Sequence, residues 1–427
     1  MLKSKINKTE FSSGVFTLIK GTTLAQLIPI LISPILTRLY TPENFGVFGM
    51  YMACAGFISI FIALRYDQAL VVSDNKKCLD NLFIGCVVII LFFTLFLLLL
   101  VIFAYDEIHN IEFIKSINGW LYLLPFTVLM LGIVNALNAR LIWLKKYNGV
   151  AKNKVVTTSS NALSSSILGV GGFAKGGLVI GGFISLLCSF SYLVSVNLKN
   201  PINRAEIRKS DVINLLVKFK SFPTENLPAG FVNGLYNHGK IIFFSMFLSA
   251  TFVGYLVLTL RVMQLPLTVI ASSISDVLYK SIAEDMNRGN IKALKSRVNK
   301  LVIYLSIIGF MPLLVLYLWG DSIFGYVFGE HWRVAGTYAS ILSLGLYAMF
   351  VISPLTKVFW AIEKNNYYLC WEIIRLIVVF VPLFYILKNN YDEIIVVWCF
   401  SLSLFFSYVL MFVILKFLLR KLTYVQL

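Results

Sequence analysis

Charged residues are scarce in this 427-residue sequence, at 13% of the total against about a quarter in soluble domains. Acidic residues are the scarcest, since 20 Asp and Glu stand against 37 Lys and Arg. Hydrophobic residues reach 59%, and the mean hydropathy is +0.83. This composition argues against a soluble globular protein and predicts an all-α polytopic membrane protein.

The sequence also lacks the motifs of a metal site, a disulfide framework or a phosphate-binding loop. Its six cysteines occur without a CxxC or Cys/His spacing, and most lie in apolar stretches. The three histidines are far apart. We therefore expect no cofactor, no metal and no catalytic residue, and we expect that the chain is not an enzyme.

Long apolar windows are abundant instead. A transmembrane helix needs about 20 mostly apolar residues, and twelve windows meet that need. The first window follows three lysines and is too long for the core of a signal peptide, so we interpret it as a span. The windows are 14 to 37, 44 to 64, 80 to 104, 119 to 143, 155 to 174, 177 to 197, 227 to 249, 252 to 274, 301 to 319, 336 to 358, 366 to 387 and 393 to 417.

The net charge of +17 is explained by topology rather than by nucleic-acid binding. With both termini inside, 28 of the 37 basic residues fall in inner segments and five in outer loops, including Arg38. Because basic residues collect on the cytoplasmic side, this bias predicts an N-in, C-in orientation. Four basic residues are left within predicted spans, namely Lys20, Lys240, Arg261 and Arg375.

A proline-containing loop divides the twelve windows into two sets of six. We predict an N-terminal six-helix lobe (1–200), a cytoplasmic linker with an amphipathic helix (201–226) and a C-terminal six-helix lobe (227–427). Gly46 and Gly254 stand in similar contexts 208 positions apart, as expected of a duplicated six-span unit.

Two inner segments, 207–219 and 290–301, combine helical spacing of apolar residues with a basic face. This pattern is typical of interfacial helices on an anionic leaflet. Solvated connectors whose lysines reach the membrane surface fit the same pattern.

The basic residues inside spans are candidate substrate-binding residues, because a cation at bilayer depth costs about 3 kcal/mol on insertion scales. If their spans face one another, Lys20, Lys240, Arg261 and Arg375 enclose a cationic chamber. Two alternatives stay open: Arg375 pairs with Glu372 one helical turn earlier, and Lys20 extends to the inner surface. Arg261 and Lys240 have no acidic neighbour on their own spans and are the strongest candidates.

Two further arginines, Arg38 and Arg65, bracket the second span and are also candidates for substrate binding. Asp67 and Glu372 are candidates for ion coupling or gating. For Arg65 and Asp67, a simple anchor at the inner interface is the alternative.

Several motifs resemble one family. They include GTTLAQ at residues 21–26, TRLYTPENFGVF at 37–48, LRYDQAL at 64–70 and, in the second half, VFGEHWR at 327–333. Together they resemble the polysaccharide (O-antigen) flippases of the Wzx type, within the multidrug/oligosaccharidyl-lipid/polysaccharide exporter superfamily. Asp67 departs from the pattern, because a glutamate is common there.

The resemblance implies two six-helix lobes around a central cationic cavity. It implies that alternating access moves an undecaprenyl-pyrophosphate-linked O-antigen repeat unit across the bacterial inner membrane, for lipopolysaccharide biosynthesis. We expect a lipid-linked oligosaccharide and membrane lipids as partners, a polysaccharide polymerase and a chain-length regulator as further partners, no nucleic acid, and a monomer. A glycan polymerase or ligase and a drug/cation antiporter are the alternatives, disfavoured by short outer loops and by the excess of buried cations.

Overall fold

The computed structural model describes residues 8–109, 111–287 and 290–425. Within these ranges the chain forms helices joined by turns, and no strand occurs there. The contacts divide the chain into two compact units, Met1–Val253 and Gly254–Leu427. We describe each unit by itself.

The first unit contains twelve α-helices and the start of a thirteenth. They are α1 Lys8–Leu39, α2 Pro42–Ile62, α3 Tyr66–Val71, α4 Lys76–Phe103, α5 Tyr105–His109, α6 Glu112–Lys115, α7 Leu124–Trp143, α8 Tyr147–Val170, α9 Gly177–Leu198, α10 Lys209–Lys218, α11 Leu227–Gly234 and α12 Lys240–Ser245. Short π-helical segments, Phe222–Asn226 and Leu235–Gly239, flank α11.

The second unit contains the remaining long helices. They are α13 Ala250–Asn287, which begins in the first unit, α14 Ile291–Phe328, α15 Arg333–Ile352, α16 Thr356–Ala361, α17 Asn365–Lys388 and α18 Glu393–Val425. Residues 290–301, which the sequence suggested as a separate interfacial helix, form the start of α14 and continue into its apolar part.

Nine segments within the described ranges are long and apolar enough to cross a membrane. They match nine of the twelve predicted windows. The fifth window falls in α8, which is helical but rich in Ser, Thr and Asn, and the eighth falls in a shorter apolar helix, Ala250–Gln264. The seventh is broken by the π-helix at Leu235–Gly239. The count of twelve and the N-in, C-in orientation stay predictions.

The start of α2 follows directly from the sequence TPEN. Thr41 Oγ1 accepts a hydrogen bond from the Asn44 backbone N–H at 3.3 Å, and Asn44 Oδ1 accepts one from the Thr41 N–H at 3.2 Å. Pro42 at the first helical position needs no hydrogen-bond partner for its nitrogen. This reciprocal cap fixes where the second span begins.

The glycine-rich helices α8 and α9 pack closely. A Cβ on Gly181 would lie 2.4 Å from Ser165 Oγ, so only glycine allows this approach of the two backbones. The Tyr40 hydroxyl donates to the Ser165 carbonyl at 2.6 Å and ties the end of α1 to the same place. These contacts favour close packing as the reason for the small residues.

The predicted linker packs onto the first unit through α10. Val212 of α10 lies against Gly85 of α4, where an added Cβ would come within 3.0 Å of Val212 Cγ1. The Tyr66 hydroxyl donates to the Leu216 carbonyl at 2.9 Å, and Lys218 Nζ lies 2.5 Å from Asp74 Oδ2. The predicted linker therefore contains a helix, α10, that packs against α4. The predicted division into two six-helix lobes stays a prediction.

Candidate functional site: a polar cavity around Arg65

The LRYD motif forms a strained turn between α2 and α3. Leu64 and Arg65 both have positive φ angles, 47° and 63°, a region that costs a residue with a side chain about 1–2 kcal/mol. Three backbone hydrogen bonds hold the turn: Leu64 N–H to the Phe61 carbonyl, Tyr66 N–H to the Ala63 carbonyl and Gln68 N–H to the Arg65 carbonyl. The strain is a reason to look for function here.

This turn places Arg65 in a cavity of about 210 Å³ within the first unit. The cavity, which we call the Arg65 cavity, is bordered by α2, α3, α7, α11 and the second π-helix. Its polar lining residues are Ser59, Arg65, Asp67, Asn135, Asn233, Asn237 and His238. A cluster of amides, one arginine and one histidine can donate many hydrogen bonds, so the cavity suits a ligand rich in acceptor oxygens.

Arg65 is half-buried and lies against the backbone of α11. A Cβ on Gly230 would meet Arg65 Nη2 at 2.1 Å and Nε at 2.6 Å, so glycine makes room for the guanidinium. The Nε atom has no hydrogen-bond partner among the residues that the structure describes. A buried donor of this kind is costly unless a ligand or solvent satisfies it.

Asp67 lies two residues beyond Arg65 and lines the same cavity. Burial raises the pKa of the Asp67 carboxyl, and the nearby Arg65 guanidinium together with backbone N–H groups opposes that rise. The carboxyl group therefore takes up a proton more readily than an exposed aspartate does.

His238 enters the cavity from the π-helix Leu235–Gly239. A Cβ on Gly56 would lie 2.4 Å from His238 Cε1, so the imidazole rests directly on the backbone of α2. Asn237 Nδ2 donates to Asn233 Oδ1 at 2.6 Å in the same segment. A π-helical turn widens the helix locally and is frequent at functional sites.

Three other predicted cations of the first unit lie elsewhere. Lys240 is buried and packs over the Tyr236 ring, with Nζ 5.1 Å from the ring centroid. Arg38 is exposed in the last turn of α1. Lys20 belongs to α1, but its side chain is outside the part of the chain that the structure describes.

The remaining predicted residues belong to the second unit. Arg261 is half-buried on α13. Arg375 is 5% exposed and forms an ion pair with Glu372 on the same helix, and its Cζ lies 4.6 Å from the centroid of the Trp371 ring. The structure thus brings Arg65 and Asp67 together and pairs Arg375 with Glu372. The roles assigned to these residues in transport stay predictions.

One buried cation, Arg140, was missed from the sequence: it was counted with the inner segments although it lies within the predicted window 119 to 143. Arg140 lies on α7, is 1% exposed and donates from Nη2 to Asp80 Oδ1 on α4 at 3.0 Å. Its Nη1 donates to Asn197 Oδ1, and Nη2 also donates to the Asn200 carbonyl, both at 2.9 Å. The signal in the sequence was a carboxylate at the start of the predicted span 80 to 104 and an arginine near the end of the next predicted span, 119 to 143.

Residues 35–336, most of the chain, match the model of a protein family described as polysaccharide biosynthesis protein. The chain belongs to this family. No curated protein sequence matches the chain significantly.

Three of the solved structures similar to this family member are of transporters or flippases. The lipid II flippase MurJ in an inward closed conformation has a TM-score of 0.74 at 13% identity, covering 93% of this chain and 87% of that one. An inward-facing multidrug resistance MATE transporter has 0.62 at 14% identity, covering 95% of both chains. A superfamily transporter from Pyrococcus furiosus, described by a binding pocket of reverse polarity, has 0.59 at 14% identity, covering 96% of both.

These similarities confirm two predictions. The first is the resemblance to a polysaccharide family, and the second is the all-α polytopic fold. Nine apolar helices long enough to cross a membrane, among the described residues, and the fold shared with these structures make this a multi-pass membrane protein with a transporter fold.

Proposed function

We propose that the protein is a flippase for a lipid-linked polysaccharide repeat unit, specifically an undecaprenyl-pyrophosphate-linked O-antigen unit in the bacterial inner membrane. The observation that carries the proposal is Arg65, a half-buried arginine in a cavity rich in hydrogen-bond donors, whose Nε has no partner among the residues that the structure describes. Membership of the polysaccharide biosynthesis family and the flippase-like fold support the same conclusion.

The chemistry of the cavity suits a pyrophosphate. A guanidinium stays charged at all physiological pH values and can engage two phosphate oxygens with its planar set of N–H groups. Asn135, Asn233 and Asn237 add neutral amide donors around it. We propose that the cavity binds the pyrophosphate in one state of an alternating-access cycle, while the polyprenyl tail stays in lipid.

The membrane potential favours the proposed direction of transport. Moving negative charge from an inside-negative cytoplasm to the outside gains about 2.3 kcal/mol per charge for every 100 mV. A pyrophosphate linkage carries about two such charges, so the potential assists export. We propose Asp67, on the same cavity, as an ion-coupling or gating group.

The test is transport in proteoliposomes that contain the purified protein and a defined pyrophosphate-linked lipid oligosaccharide. Appearance of the glycan in the opposite leaflet is scored by enzymatic labelling, with and without an imposed potential. We expect Arg65→Ala to slow transport about tenfold to a hundredfold, because one charge-assisted hydrogen-bonding group is lost. Arg65→Lys, which keeps the charge but not the planar fork, retains part of the rate.

Arg420→Ala is the matched control, since Arg420 is an exposed arginine near the end of α18. It removes the same charge and leaves the cavity intact. Equal rates for Arg65→Ala and Arg420→Ala reject the role of Arg65. A wild-type protein that moves no lipid-linked glycan but exchanges organic cations for protons rejects the flippase proposal itself.

A further inference from the structure

A second cavity of about 370 Å³ lies within the first unit, at the ends of three helices. It is bordered by the start of α4, the ends of α7 and α9, and the segment that leads to α10. Its lining residues are Phe83, Ile84, Leu137, Arg140, Val194, Asn197, Leu198, Pro201, Ile202 and Ile207. We call it the Arg140 cavity; its volume is within the usual range of small-molecule sites.

The walls of the Arg140 cavity are mainly apolar. Eight of its ten lining residues are hydrophobic or proline, and the two exceptions are Arg140 and Asn197. Such a lining fits a hydrocarbon chain, while the polar residues fix the position of one polar group.

The polar end of this cavity has donors that the protein does not satisfy. Arg140 uses Nη1 and Nη2 for Asn197, Asp80 and the Asn200 carbonyl. Its Nε has no hydrogen-bond partner within the described ranges, and neither has the buried Nδ2 of Asn200, which is not a lining residue but directly precedes the lining residue Pro201. A ligand with several acceptor oxygens, such as a phosphate group, would satisfy both of these buried donors.

The surface around the Arg140 cavity is basic. Lys199, Arg208 and Lys209 are exposed in the segment that covers it, and Glu206 is an acid in the same segment. Segments with an excess of basic residues attract the anionic lipids of the inner leaflet. The exposed apolar residues Ile213 and Val217 on α10, 50% and 61% exposed, suit the same membrane surface.

We propose that the Arg140 cavity binds an anionic phospholipid of the inner leaflet. One acyl chain fills the apolar part, and phosphate oxygens accept hydrogen bonds from Arg140 Nε and Asn200 Nδ2. The bound lipid joins α4, α7 and α9 to the linker. This proposal is separate from the transported substrate and holds whether or not the protein is a flippase.

The test is native mass spectrometry of the full-length protein in detergent, titrated with dioleoyl phosphatidylglycerol. Dioleoyl phosphatidylcholine, which has the same chains and no net charge, is the lipid control, and inorganic phosphate is the soluble control. We expect one phosphatidylglycerol to be retained about tenfold more strongly than phosphatidylcholine, as charge-assisted hydrogen bonds imply. Inorganic phosphate is expected not to displace it.

Val194→Phe fills the cavity and is expected to abolish retention of that lipid. Val413→Phe makes the same change on the exposed face of α18, away from the residues that line the cavity, and is the matched control. Asn200→Ala removes a donor but keeps the backbone carbonyl that Arg140 uses, so it leaves the ion pair intact. We expect it to reduce the preference for phosphatidylglycerol over phosphatidylcholine.

Three results overturn the proposal. Equal retention in Val194→Phe and Val413→Phe means that the lipid binds elsewhere. Equal retention of the two lipids by the wild type means that no anion is recognised. Displacement of the lipid by inorganic phosphate means that the site takes a soluble anion. If Val194→Phe does not fold, judged by its thermal unfolding, the Asn200→Ala variant decides by whether the lipid preference changes.

Discussion

Arg65 in the first unit and Arg375 in the second were both predicted to bind substrate, yet their surroundings differ. Arg375 is 5% exposed, forms an ion pair with Glu372 and stacks on Trp371. Arg65 is half-buried and lines a polar cavity within the first unit. The charge of Arg375 is compensated within the protein, whereas the charge of Arg65 is available to a ligand.

The comparison shows that burial of a cation is a weak indicator of substrate binding. A charge in a membrane protein must be compensated, but a carboxylate one turn away compensates it as well as an anionic substrate does. The useful indicator is a cation that lines a polar cavity. Arg65 meets that condition, and the following variants test whether the distinction between the two arginines holds.

The largest expected effect is on stability, for Arg375→Ala. Removing one partner of a buried ion pair leaves Glu372 as an unpaired buried charge, which costs about 3–5 kcal/mol. We expect a marked fall in the thermal unfolding midpoint in detergent and a lower amount of folded protein in the membrane.

The double variant Glu372→Gln/Arg375→Met separates stability from substrate binding. It removes both charges, so we expect it to recover most of the lost unfolding midpoint and to transport within about threefold of wild type once corrected for protein amount. Transport that stays lost in a stable double variant would show that Arg375 binds substrate and that the contrast with Arg65 is wrong.

The second largest effect concerns Gly230, which makes room for Arg65. In Gly230→Ala the new Cβ would lie 2.1 Å from Arg65 Nη2, so the guanidinium must move. We expect transport to fall about tenfold, with little further loss when Arg65→Ala is added, because both changes remove the same interaction. Gly239→Ala is the matched control, since its Cβ would have Leu235 Cδ2 as the nearest atom at 3.7 Å.

Much of the fold could be predicted from the sequence, because hydropathy fixes the spans and the TPEN motif fixes the start of α2. The family could also be predicted from the motifs of the first 70 residues. The Arg65 cavity could not. It depends on two consecutive positive φ angles and on a contact between Arg65 and Gly230, which are far apart in sequence.

The ion pair of Arg140 and Asp80 also could not be predicted from the sequence. Both residues stand near the ends of predicted spans, where a charge is ordinarily solvated, so the sequence analysis assigned Arg140 to a loop. Arg140 and Asp80 are 1% and 3% exposed, and Arg140 also bonds to Asn197 near the end of α9 and to Asn200 just after it. Packing by a distant segment decides whether a residue at the end of a span is a surface anchor or part of a buried network.

The smallest expected effect is the pH dependence that Asp67 confers on stability. Burial raises its pKa in the folded state above the value in the unfolded chain, so the folded protein binds the proton more tightly. This contribution to stability is therefore fully present at acidic pH and is lost as the pH rises through the raised pKa. Asp67→Asn cannot titrate, so wild type should lose unfolding midpoint relative to the variant across that window, measured from about pH 4 to about pH 8.

Arg65 provides the decisive check on this prediction, because its guanidinium lowers the pKa of Asp67. Replacing it in Arg65→Gln removes that opposing influence and should move the pH window upward. If the window stays in place, Arg65 does not act on Asp67, and the two residues do not form one site. An upward shift together with slower transport would show that Arg65, the residue proposed to bind the pyrophosphate, also sets the proton affinity of Asp67. Changes at Arg375 and Glu372 should leave the proton affinity of Asp67 unchanged.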